Sequence, residues 1–373
     1  MTTHGTATEE ELARIRAKIG QIVTINEPPY LTEVTRDSIR QWAQATGDRN
    51  KLFTDEAYAV ASRHKSLLMP PCQLYAFSRI SIGYRGGLPG VHSFFAGSHW
   101  RWHEPMKVGE RITPEITFTG LDELPSRFAG RMFKQISLIR YLNGEGRELA
   151  QADSWGMRVE RVAAREKGKY KKLELAEKYT RERIEEIAEL YAKEICRGRD
   201  TPYFEDVKVG DAIPQIIRGP YTATIAVAFE QAWGGLYIKA HGYWFDYLRR
   251  HPAAGIPNSY NIPEPPEAVH WDSPLARSVG VPEAYDYGPE RVAWVATMLT
   301  NWVGDDGFVK ELYCEVRRFN MIGDLTTCRG KVVSKDEAAG TVKLDVEAVD
   351  QRGDTTAFGW AVVRLPRRAT SAA

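Results

Sequence analysis

One segment of this 373-residue chain recurs in its second half, and this repeat constrains the fold more than any other feature. Residues 47–59 are similar to residues 269–276. Aligning Phe53 with His270, an offset of 217 residues, also aligns an aspartate two positions later in each copy. The repeat predicts two copies of one fold. A difference between the copies then indicates where chemistry was kept and where it was lost.

Length, charge and cysteine content predict a two-domain protein of the cytoplasm. A chain of 373 residues is too long for one ordinary hydrophobic core. Its net charge of +1 provides no broad field for nucleic acid or an anionic membrane, so neither partner is expected. No apolar run reaches the ~20 residues that span a bilayer, and the first residues lack the apolar core of a signal peptide. The four cysteines are widely spaced, which predicts reduced thiols.

The first half, residues 1–161, changes from a helical pattern to a strand pattern. Thr35 is a candidate cap for a helix, and two prolines open an apolar run at 72–82 that predicts a buried central helix. From residue 93 onward, apolar and polar residues alternate between turn signals, which predicts antiparallel strands. We therefore predict a first domain in which helices precede a sheet.

The second half, residues 201–373, repeats this order after a charged linker at 162–200. The linker has apolar residues at helical spacing, including Ile184 and Leu190, and predicts an amphipathic connecting helix. A long apolar helix at 291–303 then precedes four predicted strands. The fold class is therefore predicted as α+β, with each half an antiparallel sheet wrapped around a long central helix.

The first copy of the repeat resembles a known signature. Its sequence Ala-Thr-Gly-Asp-Arg-Asn-Lys-Leu-Phe-Thr-Asp-Glu-Ala-Tyr-Ala is similar to the hydratase-2 signature of the MaoC-like dehydratases, Gly-Asp-x-Asn-Pro-Leu-His-x-Asp. Residues 69–71 and 100–109 resemble the FAS1-like N-terminal domain of the two-domain members, and residues 320–324 resemble their C-terminal domain. The resemblance implies a double hotdog fold and a hydro-lyase of fatty acid metabolism. Such enzymes reversibly hydrate a trans-2-enoyl thioester, most often of coenzyme A, to the (R)-3-hydroxyacyl thioester.

This reaction requires groups that hold and deprotonate one water. The water attacks C3 while a proton reaches C2, and family members use the Asp and His of the signature as the acid/base pair. The thioester oxygen gains negative charge in the transition state, which a backbone N–H at a helix N-terminus stabilises. The resemblance implies Gly288 for that role. It implies no cofactor, since coenzyme A is part of the substrate.

Each copy departs from the signature in a different way. The first copy keeps Asp48 but has Phe53 at the histidine position, so we predict that it shapes the substrate tunnel without catalysing. The second copy has His270, but its Gly-Asp falls at Gly234-Gly235, followed by an insertion at about 236–268. We predict that a carboxylate of this insertion replaces the missing aspartate. The sequence leaves open which of its residues takes part: Tyr237, His241, Tyr243, Asp246, His251, Glu264 or Glu267.

The predicted site residues lie in the second half. We predict three catalytic residues: His270, Asp272 and Gly288. In this set His270 is the acid/base group, and Asp272 either orients its ring or caps the next helix. We predict that five residues bind substrate, with Arg291 meeting a carboxylate or phosphate: Tyr237, Asp246, Tyr285, Asp286 and Arg291. Aromatic residues in and beside the insertion predict a pocket for a bulky, branched or cyclic acyl group: Trp233, Tyr237, Tyr243, Trp244, Phe245 and Tyr247.

Other functions and partners are weighed against this prediction. His92, His99 and His103 lack a metal-ligand spacing, so no metal site is expected. A thioesterase on the same fold stays open, as does a non-catalytic subunit that binds acyl thioesters, because both copies lack a complete Asp/His pair. We expect an acyl-CoA substrate and a homodimer. The sequence does not distinguish coenzyme A from acyl carrier protein.

Overall fold

A computed structural model describes residues 7–23, 29–78, 88, 91–125, 131–159, 174–235, 238–278 and 280–368. Its α-helices are α1 (Glu9–Arg16), α2 (Arg36–Thr46), α3 (Lys51–Thr54), α4 (Glu56–Ala61), α5 (Tyr75–Ser78), α6 (Arg181–Ala192), α7 (Ala223–Trp233), α8 (His241–Arg250), α9 (Ser273–Ser278) and α10 (Gly288–Val303). Its strands are β1 (His92–Trp102), β2 (Ile112–Leu124), β3 (Met132–Asn143), β4 (Glu148–Val159), β5 (Ile216–Arg218), β6 (Ile256–Pro257), β7 (Pro263–Glu264), β8 (Phe308–Val316), β9 (Thr326–Asp336), β10 (Thr341–Asp350) and β11 (Thr355–Arg364).

The predicted repeat is present in the helices α2 and α7. Each begins after a threonine, Thr35 or Thr222, whose side chain accepts a hydrogen bond from the third backbone N–H of the helix. Each ends at a glycine in the left-handed conformation, Gly47 or Gly234. The two helices are therefore equivalent at an offset of 187 residues. The histidine segment repeats at 217, so 30 residues are inserted between them.

One continuous sheet joins the two halves. Nine strands pair in the order β2-β3-β4-β1-β8-β11-β10-β9-β5, and β1 pairs antiparallel with β8. Gly97 lies at this junction, opposite Glu315 and at a shift in the register of β1 with β4. Its φ is 148°, and a Cβ there would overlap the carbonyl of Cys314 and the ring of Trp155. The two halves thus approach so closely at this point that only glycine fits.

The long helix α10 forms the centre of the second half. Every residue from Pro289 to Val303 is buried, as expected of a mainly apolar central helix, and its polar residues are buried as well. In the first half, a 3-10 turn at Pro71–Leu74 continues into α5, which confirms the start of the predicted central helix. Its predicted end at residue 82 lies outside the described residues. A central helix against an antiparallel sheet confirms the α+β class.

The linker contains a shorter helix than the sequence predicts. Helix α6 buries Ile187 in a small cluster with Ile217 and Leu325. Ile184 and Leu190, which the sequence assigned to the packed stripe, are exposed, so that assignment is wrong. Helix α6 contacts the body of the protein through Ile187 and through Tyr191, whose hydroxyl donates to the carbonyl of Gly219 at 2.7 Å.

The described residues give two further observations. In the part of the chain that the structure describes, no helix is both long and apolar enough to cross a membrane. All four cysteines are free thiols: Cys72, Cys196, Cys314 and Cys328.

A buried arginine connects both halves and the linker. The Arg218 Nε donates to the carbonyl of Thr46 at 2.9 Å, and Nη2 donates to the carbonyl of Gly47 at 3.1 Å. Its Nη1 pairs with the Glu194 carboxylate at 2.8 Å, and both side chains are almost fully buried. Arg218 therefore holds the C-terminal end of α2, where the first copy of the signature begins.

We predict that Arg218→Met destabilises the fold by about 3–5 kcal/mol, because it leaves the buried Glu194 charge without its cation and two helix-end carbonyls without their donor. The free energy of unfolding in urea measures this loss. Arg181→Met is the matched control, since Arg181 pairs with Glu185 on the exposed surface of α6 and such pairs contribute at most about 1 kcal/mol. Equal effects of the two substitutions would contradict the role of Arg218 as the connecting residue.

Candidate active site

The second copy of the signature places His270 at the end of a 3-10 helix, Pro266–His270. Two residues later, the carboxylate of Asp272 accepts a hydrogen bond from the N–H of Leu275 at 2.8 Å. Asp272 thus caps helix α9, which was one of the two roles predicted for it. A part for Asp272 in catalysis stays a prediction.

The surroundings of His270 fix its protonation state. Its Nδ1 lies 2.7 Å from the carbonyl oxygen of Tyr285, which can only accept, so Nδ1 carries the proton. The ring stacks on Tyr287 with centroids 3.7 Å apart and meets Tyr285 edge-on at 4.6 Å. Burial lowers the pKa of His270 to about 4. The ring is therefore neutral at physiological pH, and its Nε2 is a hydrogen-bond acceptor.

The N-terminus of α10 begins beside this histidine. Tyr287, the ring under His270, is the residue before the helix, and Gly288 is its first residue. The first N–H groups of a helix have no acceptor within the helix, so they are available to an oxygen atom. A Cβ on Gly288 would overlap the ring of Phe95, so glycine is required where β1 and the helix meet. This placement fits the predicted oxyanion donor, which stays a prediction.

A buried carboxylate that sequence reasoning missed lies beside the same tyrosine. Glu230 is in the last turn of α7 and is 4% exposed. A Cβ on Gly235 would overlap the Glu230 carboxylate, so this carboxylate fills the space that the signature aspartate side chain would enter. The signal that could have found Glu230 is a comparison of the whole helices α2 and α7, rather than of the signature alone.

Two carboxylates act electrostatically on Tyr287. The pKa of Tyr287 is raised well above its usual value, first by burial and then by the negative charges of Glu230 and Glu267. Glu267 belongs to the insertion and is partly buried. The site thus combines one neutral imidazole, one helix N-terminus and two acidic side chains around a single tyrosine ring.

The other candidates of the insertion lie elsewhere. Asp246 is exposed on α8 and pairs with Arg249 at 2.7 Å, which argues against the predicted substrate contact. Glu264 accepts from the amide of Asn258 at 3.2 Å. Tyr237 lies outside the described residues. The aromatic residues also separate, and this corrects the expectation of one aromatic pocket: Trp233, Trp244 and Tyr247 are buried, whereas Tyr243 and Phe245 are exposed.

Asp286 and Arg291 are corrected as well. They form a buried ion pair with each other, with side chains 0% and 1% exposed. The remaining donors of Arg291 reach the carbonyls of Arg318 at 2.5 Å and Thr356 at 2.8 Å. Burial raises the pKa of Asp286, and Arg291 opposes that rise. With both side chains sealed and paired, neither is placed to meet a substrate phosphate. Tyr285 contributes its backbone carbonyl to His270.

The first copy holds its aspartate in a different setting. Asp48 is buried and accepts hydrogen bonds from the N–H of Asn50 at 3.0 Å and the hydroxyl of Thr297 in α10 at 3.1 Å. Burial raises its pKa to about 6. Phe53 replaces the histidine and lines an apolar groove with Leu52, Leu68, Met69, Trp102 and Val309 among its walls. The groove around Phe53 offers no imidazole at the signature position.

His99 of β1 and His103, which follows β1, each lie beside a carboxylate of a neighbouring strand. His99 lies 3.2 Å from Glu311, and His103 lies 2.9 Å from Glu148. Among the described residues, no group of three or more His, Cys, Asp or Glu side chains is arranged to hold a metal ion.

Comparison with protein families supports the resemblance read from the sequence. Residues 21–147 match the family model described as the FAS1-like dehydratase domain region. A UPF0336 protein of Streptomyces avermitilis is 28% identical over 101 residues, which are 26% of this chain and 66% of the relative. The match thus spans somewhat less than two thirds of that relative's length.

Solved structures match over nearly the whole chain. A MaoC-like dehydratase shares 17% identity over 95% of this chain and 100% of its own, with a TM-score of 0.65. A conserved hypothetical protein of Mycobacterium tuberculosis, described as a double hotdog fold, shares 11% identity over 93% of this chain and 96% of its own, with a TM-score of 0.55. The predicted double hotdog fold and the resemblance to MaoC-like dehydratases are confirmed.

We predict that His270 titrates near pH 4, because its neutral form is favoured by burial. The unfolded chain binds this proton at the usual pKa of 6.5. Stability from the neutral ring is therefore complete above about pH 6.5 and is lost as the pH falls towards 4. NMR titration of the imidazole C–H signals, with His270→Asn to assign the signal, measures the pKa. A midpoint near 6.5 would contradict the neutral state of this partly buried ring.

Proposed function

We propose that this protein is a hydro-lyase that reversibly hydrates a 2-enoyl thioester to a 3-hydroxyacyl thioester. The observation that carries the proposal is the neutral His270, held by Tyr285 beside the N-terminus of α10. An unprotonated Nε2 accepts a hydrogen bond from water, and a helix N-terminus accepts a developing oxyanion. These are the two functions that hydration of an enoyl thioester requires.

The proposed reaction uses these groups in sequence. The thioester oxygen lies at the N–H of Gly288, which stabilises the negative charge that develops as the conjugated double bond accepts the nucleophile. The water is held at His270 Nε2 and attacks C3. An acid/base group of the site takes one proton from the attacking water and delivers it to C2 of the resulting enolate, so the elements of water are divided between the two carbons and the protein is unchanged. The reverse sequence is dehydration.

The proposed substrate is an acyl-CoA with a bulky acyl group. The apolar groove around Phe53 supports the role proposed for the first copy, which is to shape the tunnel for the acyl chain. The thioester carrier enters as substrate, and no further cofactor is proposed. The free cysteines suit a protein of the reducing cytoplasm. The homodimer stays a prediction.

We predict that His270→Asn lowers kcat for hydration of crotonyl-CoA and bulkier enoyl-CoAs by about 100-fold or more, which is the usual contribution of an acid/base group. The asparagine amide keeps a donor for the Tyr285 carbonyl but lacks the acceptor at the position of Nε2. Loss of the conjugated enoyl-thioester absorbance measures the rate. His251→Asn is the matched control, since His251 also directs Nδ1 to a backbone carbonyl, at 3.2 Å, on the exposed insertion.

Three outcomes would contradict the proposal. Turnover of His270→Asn equal to the wild type would remove His270 from the mechanism. Release of free coenzyme A, detected with a thiol reagent, would identify a thioesterase. Binding of enoyl-CoA without any turnover would identify a binding subunit.

A further inference from the structure

Helices α2 and α7, which precede the two copies of the signature, differ in where they place an acidic residue and a small one. At the offset of 187 residues, Glu230 in α7 is equivalent to Ala43 in α2, and Gly235 is equivalent to Asp48. The first copy thus has alanine in the last turn and aspartate after the capping glycine. The second copy has glutamate in the last turn and glycine after the cap. Each copy has one carboxylate at this pair of positions.

The geometry of α7 delivers the Glu230 carboxylate to the signature position. Gly234 adopts the left-handed conformation, with φ 71°, and its N–H donates to the carbonyl of Glu230 at 2.7 Å. This turn brings the buried Gly235 beneath the Glu230 side chain. A side chain at 235 would overlap that carboxylate, so the two positions compete for one space. Glu230 can therefore occupy this space only because residue 235 is glycine.

The fold itself does not require an acid at position 230. The equivalent Ala43 is buried and apolar, at 2% exposure, and its helix has the same cap and the same end. Taking a carboxylate out of water costs free energy, so a buried acid at a position where the sister helix has alanine points to a chemical role.

Glu267 is the competing carboxylate, and three observations favour Glu230. Glu230 is more deeply buried than Glu267. It acts more strongly than Glu267 on the pKa of Tyr287, the ring on which His270 stacks. It also occupies the space of the signature aspartate. Glu267 lies on a different segment, the 3-10 helix that ends at His270.

We propose that Glu230 is the catalytic carboxylate missing from the second signature, and that it holds the attacking water together with His270. This inference rests on the proposed function. A water molecule that donates both hydrogens to acceptors directs its two lone pairs away from them, towards the substrate. His270 Nε2 binds one hydrogen and the Glu230 carboxylate binds the other. As the bond from oxygen to C3 forms, Glu230 takes the proton from the water and then returns it to C2, which leaves both side chains as they began.

The experiment compares six proteins on the same enoyl-CoA panel: wild type, Glu230→Gln, Glu267→Gln, Glu185→Gln, Glu230→Ala and the double variant Glu230→Ala with Gly235→Asp. Glu230→Gln keeps the size of the side chain but removes the proton acceptor. We expect its kcat to fall about 100-fold or more with KM changed less than about threefold, because the loss falls on proton transfer and not on binding. Glu267→Gln tests the competing carboxylate, and its kcat should exceed that of Glu230→Gln at least tenfold. Glu185→Gln is the matched control, because Glu185 lies on the exposed surface of α6, and its kcat should stay within about threefold of the wild type.

The double variant tests the exchange of positions directly. It gives the second copy the alanine and aspartate of the first copy, with the carboxylate restored to the signature position. We expect its kcat to exceed that of the single variant Glu230→Ala at least tenfold. This arm also covers the case in which Glu230→Gln fails to fold, which circular dichroism and the unfolding midpoint would reveal.

The outcomes separate this inference from the function on which it rests. A wild type without hydration of any enoyl-CoA overturns both. An active wild type with an equally active, folded Glu230→Gln overturns the role of Glu230 alone. Loss of activity in Glu267→Gln, with Glu230→Gln unaffected, assigns the role to Glu267 and also overturns the inference. Activity that is lost in Glu230→Gln and recovered in the double variant supports it.

Discussion

The buried guanidinium of Arg218 holds together the parts of the chain on which both signature copies depend. It comes from β5 of the second half, pairs with Glu194 of the linker and donates to the last carbonyls of α2 in the first half. The amide of Asn301 in α10 donates to the same Glu194 carboxylate at 3.2 Å. A positive charge at a helix C-terminus is favourable in itself, and here it also satisfies carbonyls that would otherwise be buried without a donor. The end of α2 is thereby fixed against the central helix of the other half.

That arrangement explains how the first copy of the signature can lack its histidine while the fold is kept. In the first copy, Asp48 accepts from Thr297 of α10 and from the backbone of Asn50, so its carboxylate stabilises the contact between the halves. Phe53 then replaces an imidazole with an apolar ring in the core. The second copy retains the imidazole of His270 in a polar setting. The copies have diverged into a packing surface and a candidate reaction site on one shared sheet.

Much of the fold could be predicted from the sequence, because its signals are local. The Thr35 cap and apolar runs indicated the helices α2 and α10, and alternation indicated the strands. The site could be predicted only in part. His270 follows from a motif, whereas Glu230 depends on a carboxylate that reaches a neighbouring position through a glycine turn, which a position-by-position comparison does not reveal. The prediction that Arg291 binds substrate was wrong for a related reason. Its ion pair with Asp286 forms because the chain turns into α10 between the two residues, and the sequence does not show this turn.

The pair of Asp286 and Arg291 has a consequence for the reaction even though neither residue faces the substrate. Asp286 accepts from both the backbone and the side chain of Asn320, and Arg291 reaches two carbonyls of the surrounding loops. In the same turn of α10, the hydroxyl of Tyr221 donates to Glu290 at 2.9 Å. Burying such groups gives little net stability. Oε1 of Glu290 and Oδ1 of Asn320 have no hydrogen-bond partner within the described ranges, but the bonds that the network does form restrict the arrangements open to these side chains. The network surrounds the first turn of α10, so the N–H of Gly288 and the ring of Tyr287 are held in place before substrate arrives. Stabilisation of a developing oxyanion depends on donors that need no reorganisation, and this network provides that rigidity.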